Sequence, residues 1–488
     1  MGLDTRSGCL ATKPLIPAAL QCGSMRFMGP IVRAIPRVGF TTISIAMTAA
    51  LVAGVNLAIW FPGESGPDSQ SQYAQAVARQ FDDWHPPIMA WLWSLFRLVA
   101  DGDGPMFCFQ VVGYWLGFGL IAIGLAQTGR LLAASAMLGV ALFPSLLTLN
   151  VVLVKDVGMG VALLAAFAAV FWYRTQHREI PAAIAALSFV LLLYGALVRA
   201  NAVFAVVPLL AYMIRPQWLG RPWRLLAVSI PVSLALLPAA NLFNHHVLRA
   251  ESLSPIRSLQ IFDIAGISFY SGDMTVFAPD KPFTRDEVGN CYTPVGWDRL
   301  APWGECRFFW NRLAVSSNVK EIVEKLDARS VMGAEPNSQL PDLWIAAIVR
   351  HPLAYVRHRV GYFSSEIVRG ASMATLDATA QKPLSVVLYD LITAPALWLA
   401  IGAGLLLQLA SANSIRSTAS GDAALTLVLS GLSYGSAYLI IGVATELRYL
   451  FWTLIAIFTA LVISLSSVRG RNCVSIAEGQ RGCNGSLV

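Results

Sequence analysis

FTTISIAMTAALVAGVNLAIWF (Phe40–Phe61) followed at once by PGESGPDSQSQYAQAVARQFDDWHPP (Pro62–Pro87) sets the reading of the whole chain. The first part carries no ionisable side chain and is long enough, at ~1.5 Å per residue, to cross ~30 Å of hydrocarbon. The second part concentrates Glu64, Asp68, Arg79, Asp82, Asp83 and His85. An apolar helix that exits into an acidic, Pro- and Gly-rich loop reads as a retained membrane span rather than a cleaved leader. Residues 1–37 read as a cytoplasmic tail, and Met25, followed by Arg26, Arg33 and Arg37, would serve equally well as the start.

The rest of the chain agrees with a membrane setting. Of 488 residues, 56% are hydrophobic and 13% charged, and the mean hydropathy is +0.60. That is more apolar surface than one soluble core needs. The net charge of +7 does not mark a nucleic-acid binder, because the basic residues sit in short groups beside apolar runs and form no face interleaved with aromatics.

Ten apolar stretches are predicted to span: Phe40–Phe61, Met106–Ala126, Leu131–Leu149, Val157–Tyr173, Pro181–Val198, Ala202–Ile214, Leu225–Phe243, Leu384–Leu409, Ala423–Ala444 and Leu450–Val468. The excess of Lys and Arg on cytoplasmic loops then puts Arg130, Arg174, Arg178, Arg215, Arg221, Arg224, Arg416, Arg469 and Arg471 inside. Both termini are cytoplasmic in this reading, and the Phe61–Pro87 loop lies outside. Ile88–Ala100 is too short to span and reads as an interfacial helix.

The chain therefore divides into the tail 1–37, an N-terminal transmembrane module 38–243 containing the loop 61–87, an external domain 244–383, C-terminal helices 384–468 and a cytoplasmic tail 469–488. In the external domain Cys291 and Cys306 either pair in an oxidising compartment or stay as free thiols. The seven cysteines show no metal-binding spacing.

Ionisable groups at a membrane need a reason. Once the cytoplasmic arginines are set aside, Lys155-Asp156, Arg199 with Asn201, and Glu446 with Arg448 remain in tight loops, all on the outer side. Cations there run against the positive-inside trend. They fit an anion at the surface, such as a lipid-linked phosphate, although each could also be a local ion pair capping a helix.

In the loop, Asp68 suits an N-cap and shares a helical face with Gln72 and Gln75. A carboxylate flanked by amides could take a proton from an acceptor while the amides hold sugar hydroxyls. Asp82, Asp83 and His85 could bind a sugar or a divalent cation, the one cofactor the sequence offers. Trp84 could stack on a sugar or anchor the interface.

PGESGPDSQSQYAQA after the first span and FDDWHPPIMAWLW about a dozen residues on, with VKD at Val154–Asp156, VRAN at Val198–Asn201, RHPLAYVRHR at Arg350–Arg359 and ELRY at Glu446–Tyr449, resemble the membrane glycosyltransferases of the GT-C superfamily. That family includes protein O-mannosyltransferases and lipid A aminoarabinose transferases. The resemblance implies an all-α polytopic fold and an inverting transfer of sugar from a polyprenyl-phosphate donor to a lipid, polysaccharide or protein on the outer face of a bacterial inner membrane. By pattern Asp68 matches the catalytic acidic residue, and Lys155, Arg199 and Arg448 match a basic triad for the donor phosphate. Gln72, Asp82, Asp83, Trp84, His85, Asn201 and Glu446 would line the substrate site. DDWHPP departs from the Lys-Pro-Pro of the aminoarabinose transferases. Two other functions stay open: a ligase or polymerase of lipid-linked saccharides, resting on Arg350, His351, Arg357, His358 and Arg359, and a lipid or sugar flippase, for which mid-membrane charges and repeats would be expected.

Overall fold

The structure is a computed structural model that describes residues 39–214, 222–277, 283–316, 318, 326–369, 384–411 and 418–483. The tail 1–37 and Arg215, Arg221 and Arg416 lie outside the described residues. Among them there is no strand, only isolated bridges that staple loops together.

Helices α1 (Phe40–Trp60), α2 (Pro67–Ala78), α3 (Ile88–Phe96), α4 (Gly104–Gln127), α5 (Leu131–Ala141), α6 (Pro144–Leu149), α7 (Lys155–Thr175), α8 (Ala182–Val198), α9 (Val203–Ile214) and α10 (Pro222–Leu242) build the first part of a bundle and the loop at one of its ends. A head follows, with α11 (Ile256–Ser271), α12 (Arg285–Cys291), α13 (Phe308–Leu313), α14 (Ala328–Met332), α15 (Leu340–Arg350) and α16 (Pro352–Arg369). The chain returns to the bundle through α17 (Leu384–Thr393), α18 (Pro395–Ser411), α19 (Ala419–Ile441) and α20 (Phe451–Cys483).

Six helices are long and apolar enough to cross a membrane: Phe40–Trp60, Gly104–Gln127, Lys155–Thr175, Ala227–Val247, Ala419–Ile441 and Leu447–Ser467. The expected count of ten is corrected to these six among the described residues. Leu131–Leu149 breaks before Pro144 into α5 and α6, and Leu384–Leu409 breaks before Pro395 into α17 and α18. A proline removes a backbone donor and drives the residue before it out of the helical region. The helix at 182–198 and that at 200–214 are shorter apolar segments, and the second contains Pro208.

α7 is the axis of the bundle, almost wholly buried and packed by α4, α8, α9 and α20. Lipid tails are as apolar as leucine, so close backbone approach rather than the hydrophobic effect holds such helices together. Gly113 and Gly117 of α4 supply it: a Cβ on either would meet Val161 or Leu164 of α7 at 2.6 Å. α1 instead turns Ile43, Met47, Leu51, Val55 and Ile59 outward at helical spacing, as a lipid-facing surface requires. At the far end Arg130 donates to Ser420 at 2.6 Å and Ser466 at 3.2 Å, tying the starts of α5 and α19 to α20.

The head has a separate core around Phe262, Phe309, Trp310 and Tyr362. Cys291 and Cys306 are joined in a disulfide, with Cα atoms 5.9 Å apart. Trp84, from the loop after α2, enters this core against Trp297 (5.9 Å), Trp303 (5.9 Å) and Trp310 (6.0 Å). The loop is thus clamped between bundle and head.

Candidate functional site at the loop end of the bundle

The loop is positioned by backbone pairing. After α1 the chain reverses at Gly63, whose φ of 94° favours glycine. Glu64 then donates to Val151 O (3.0 Å) and accepts from Leu153 N (2.9 Å), while Ser69 Oγ donates to Leu153 O. α2 is thereby held beside the first turn of α7. Further on, Asp83 N donates to Glu251 O (2.9 Å) and Glu251 N to Phe81 O (2.8 Å), which fixes the loop to the head.

Asp68 does not cap α2. Gly66 stands at the cap, with Pro67 opening the helix, so the carboxylate of Asp68 is free to turn toward the bundle. Its Oδ2 is 3.1 Å from Arg448 Nη1 and its Oδ1 3.6 Å from His85 Nε2, the latter beyond hydrogen-bond length. Lys155 Nζ lies 2.6 Å from His85 Nδ1. An ammonium can only donate, so Nδ1 accepts and Nε2 carries the imidazole proton, pointed at Asp68. Arg199 Nη1 is 2.5 Å from the fully buried Asp156. Arg448 is gripped from behind by Glu446, through Nε and, at 3.1 Å, Nη2. The ring of Tyr449 lies 4.6 Å from the Arg199 guanidinium carbon and 5.3 Å from that of Arg448.

The fold thus brings Asp68, Lys155, Arg199, Arg448, His85 and Glu446 to one end of the bundle, from segments nearly four hundred residues apart. Lys155 lies within Coulombic reach of Arg199, Asp68, Asp156 and Arg448.

Burial alone would raise the pKa of Asp68, but His85, Lys155 and Arg448 beside it outweigh that and hold the carboxyl below its ordinary value. Burial and then the Lys155 charge push His85 down to about 3, against the pull of Asp68. The pair at neutral pH is therefore a carboxylate facing a neutral imidazole. Around it burial raises Glu446 and Asp298 and lifts Glu366 to about 9. Glu366 is fully buried, accepts from Glu446 N at 3.1 Å and leaves Oε1 without a partner.

The other sequence candidates are placed differently. Gln75 exchanges two hydrogen bonds with Asp82, Nε2 to Oδ2 at 3.0 Å and Oε1 from Asp82 N at 3.1 Å, so its amide is spent on the loop itself. Gln72 is buried, with Nε2 3.5 Å from Asp68 O. Asp82 also caps Trp84 N at 3.1 Å. Asp83 turns to Leu253 N (2.5 Å), Ser252 (3.2 Å) and His245 (3.4 Å). The two neighbouring carboxylates diverge, and among the described residues no three His, Cys, Asp or Glu side chains gather as a metal ion would need. Asn201 is buried in the turn Ala200–Ala202 between α8 and α9.

Arg350–Arg359 does not form one site. His358 and Arg359 are buried in the head on Asp263, whereas His351 pairs with Asp273 at 2.8 Å and Arg357 lies over Tyr270.

Asp156, Asp298, Glu366, Tyr449 and Tyr438, whose ring lies 5.7 Å from the Arg199 guanidinium carbon, also belong to the site's surroundings. Only two of them had a readable signal: Asp156 in VKD and Tyr449 in ELRY. The chain was compared with protein-family models, curated proteins and solved structures, and none matches it.

Proposed function

We propose that the chain is an integral membrane glycosyltransferase of the GT-C kind. It moves a sugar from a polyprenyl-phosphate donor to a lipid, polysaccharide or protein acceptor, with inversion. The observation that carries this reading is the gathering at one bundle end of a partly exposed carboxylate, Asp68, paired with Arg448, and of Lys155 and Arg199 beside it.

The roles follow from the geometry. Arg199 is paired with Asp156, and Arg448 with Asp68 and Glu446, so Lys155, which lies on the neutral His85, holds the charge most available to a donor phosphate. Arg448 is committed to Asp68 until that phosphate recruits it. Donor binding thus uncovers Asp68 Oδ2 as the base. The acceptor O–H proton passes to Asp68 as the acceptor oxygen bonds to the anomeric carbon. The C–O bond to phosphate breaks, and its electron pair leaves with the phosphate, whose negative charge Lys155 and Arg448 stabilise. A phosphate leaving group needs no proton, so one carboxylate suffices. The neutral His85, held by Lys155, keeps an N–H aimed toward Asp68.

This reading puts the site and head on the non-cytoplasmic face of a bacterial inner membrane, with both termini inside. The disulfide Cys291–Cys306 supports this, since such bonds persist in oxidising compartments, as does Arg130 at the opposite end of the bundle. In proteoliposomes supplied with the donor lipid, Asp68→Asn should lower transfer by ~10²–10⁴-fold, the worth of a general base. Wild-type turnover by that variant would end the assignment.

A further inference from the structure

α15 and α16 meet at His351-Pro352, and the break leaves them sharing an outward face. Their inner sides hold Leu340, Ala347, His358, Tyr362 and Glu366 in the head core. The outer face carries Ile345, Val349, Leu353, Val356 and Val360, spaced by three and four residues and between 51% and 84% exposed. A row of five such side chains is unlike the scattered apolar residues of an ordinary water-facing surface.

Two features of the face name its partner. Basic groups flank the stripe: Arg350, whose Nε is 3.5 Å from Asp273, and Arg357, whose guanidinium lies 5.1 Å over Tyr270. Between them opens a groove of about 410 Å³ that also includes His351 and Leu353. Asp273 answers Arg350 and His351, while Arg357 has no carboxylate partner among the described residues. The second feature is continuity. α16 packs on α18 and α19 of the bundle, and α19 turns Ile440 and Ile441 outward at its end beside Gly442, whose carbonyl accepts from Arg359. The stripe therefore lies on a helix that packs against an end of the bundle where apolar side chains already face outward. A second copy of the chain would set these arginines against their own kind, whereas anionic headgroups complement them.

We propose that the outer face of α15 and α16 rests on the membrane, its apolar stripe at the boundary of headgroups and acyl chains and Arg350 and Arg357 on lipid phosphates. Long cationic side chains at the edge of an apolar stripe suit that depth. The contact has a consequence for the bundle end. On the inner side of the same helix, Arg359 donates to Gly442 O (2.6 Å) and Tyr362 to Ala444 O (2.9 Å), just before Glu446 and Arg448.

The test uses the full chain in nanodiscs of phosphatidylcholine, alone or mixed with phosphatidylglycerol. Its unpaired cysteines are replaced by serine, and a spin label is placed in turn at Val349→Cys, Leu353→Cys, Val356→Cys and, as a water-facing control, Asp286→Cys. Oxygen, which partitions into lipid, should relax the label more than a water-soluble nickel chelate at the first three positions, and the order should reverse at 286. Replacing Arg350 and Arg357 together by Gln should make the label at 353 shallower in the anionic discs. Chelate preference at 349, 353 and 356, an unchanged depth in the double variant, or label–label broadening between copies would each overturn the proposal.

Discussion

Two clusters in this molecule use nearly the same side chains to different ends. At the bundle end stand a carboxylate, an imidazole and a guanidinium: Asp68, His85 and Arg448. In the head stand Asp263, His358 and Arg359. In the head every atom of the carboxylate is used: Oδ1 meets His358 Nε2 (3.0 Å) and Arg359, and Oδ2 accepts from Trp344 Nε1 (2.7 Å). Burial pushes His358 down to its neutral form, so its other nitrogen can accept from Tyr292 OH at 2.8 Å. His358 lies so close to α11 that a Cβ at Gly266 would collide with its ring. Nothing can enter, and the network acts as a strut. At the bundle end Asp68 keeps 32% of its side chain exposed and holds one close partner among the described residues. Saturation and access, rather than the residue inventory, separate a structural cluster from one able to do chemistry.

The sharpest break of this comparison is the same substitution made twice. Asp68→Asn should remove the proposed transfer, by the ~10²–10⁴-fold of a general base. It should cost folding only the ~0–1 kcal/mol of a partly exposed ion pair. Asp263→Asn should do the reverse. It strands a buried guanidinium and should cost ~3–5 kcal/mol, seen as a large drop in the apparent melting temperature in detergent. Equal melting losses in the two variants would erase the distinction.

A smaller effect separates head from bundle. Replacing Cys291 by Ser opens a loop of 15 residues, for which the chain-entropy relation gives ~3 kcal/mol. Protease cleavage between residues 283 and 316 should therefore speed up in the variant, while the bundle helices keep their amide protection. Loss of protection in α4 and α7 as well would mean that the two cores unfold as one.

Which of this was legible beforehand follows from what each signal averages. The uninterrupted runs at 40–61 and 106–126 became single helices because nothing in them opposes helical backbone. Leu131–Leu149 and Leu384–Leu409 failed because hydropathy sums over Pro144 and Pro395, whose effect is local. Lys155, Arg199 and Arg448 stand out in the sequence through their violation of loop-charge bias, which needs topology but not contacts. The head network was hidden. In RHPLAYVRHR the basic residues look like one surface, yet a helix sends Arg357 outward and its neighbours His358 and Arg359 inward. The partner that decides their role, Asp263, lies 95 residues away from His358.

Glu366 gives the finest test, because it lies between the two clusters and its effect is confined to one side of the pH scale. It sits on α16 with the head network, yet its carboxyl accepts from Glu446 N beside Arg448. Burial lifts it to about 9, while Glu446 N and Arg199 pull the other way and the carboxylates of Glu446 and Asp156 add to the rise. In the folded protein it keeps its proton between the ordinary 4.5 and about 9, where the unfolded chain has released it. The stability it contributes is complete below about 4.5 and is lost as pH rises through about 9. Glu366→Gln retains an acceptor for Glu446 N and has no proton to lose. It should leave melting near pH 5 almost unchanged and flatten the alkaline decline of the wild type. His85, held down at about 3, contributes the opposite limb: its stabilisation is present above 6.5 and falls away as pH drops toward 3. The acid limb should therefore survive in Glu366→Gln. A variant that still loses stability between neutral pH and 9 as the wild type does would show that Glu366 is ionised in the folded protein, with Arg199 shared between it and Asp156.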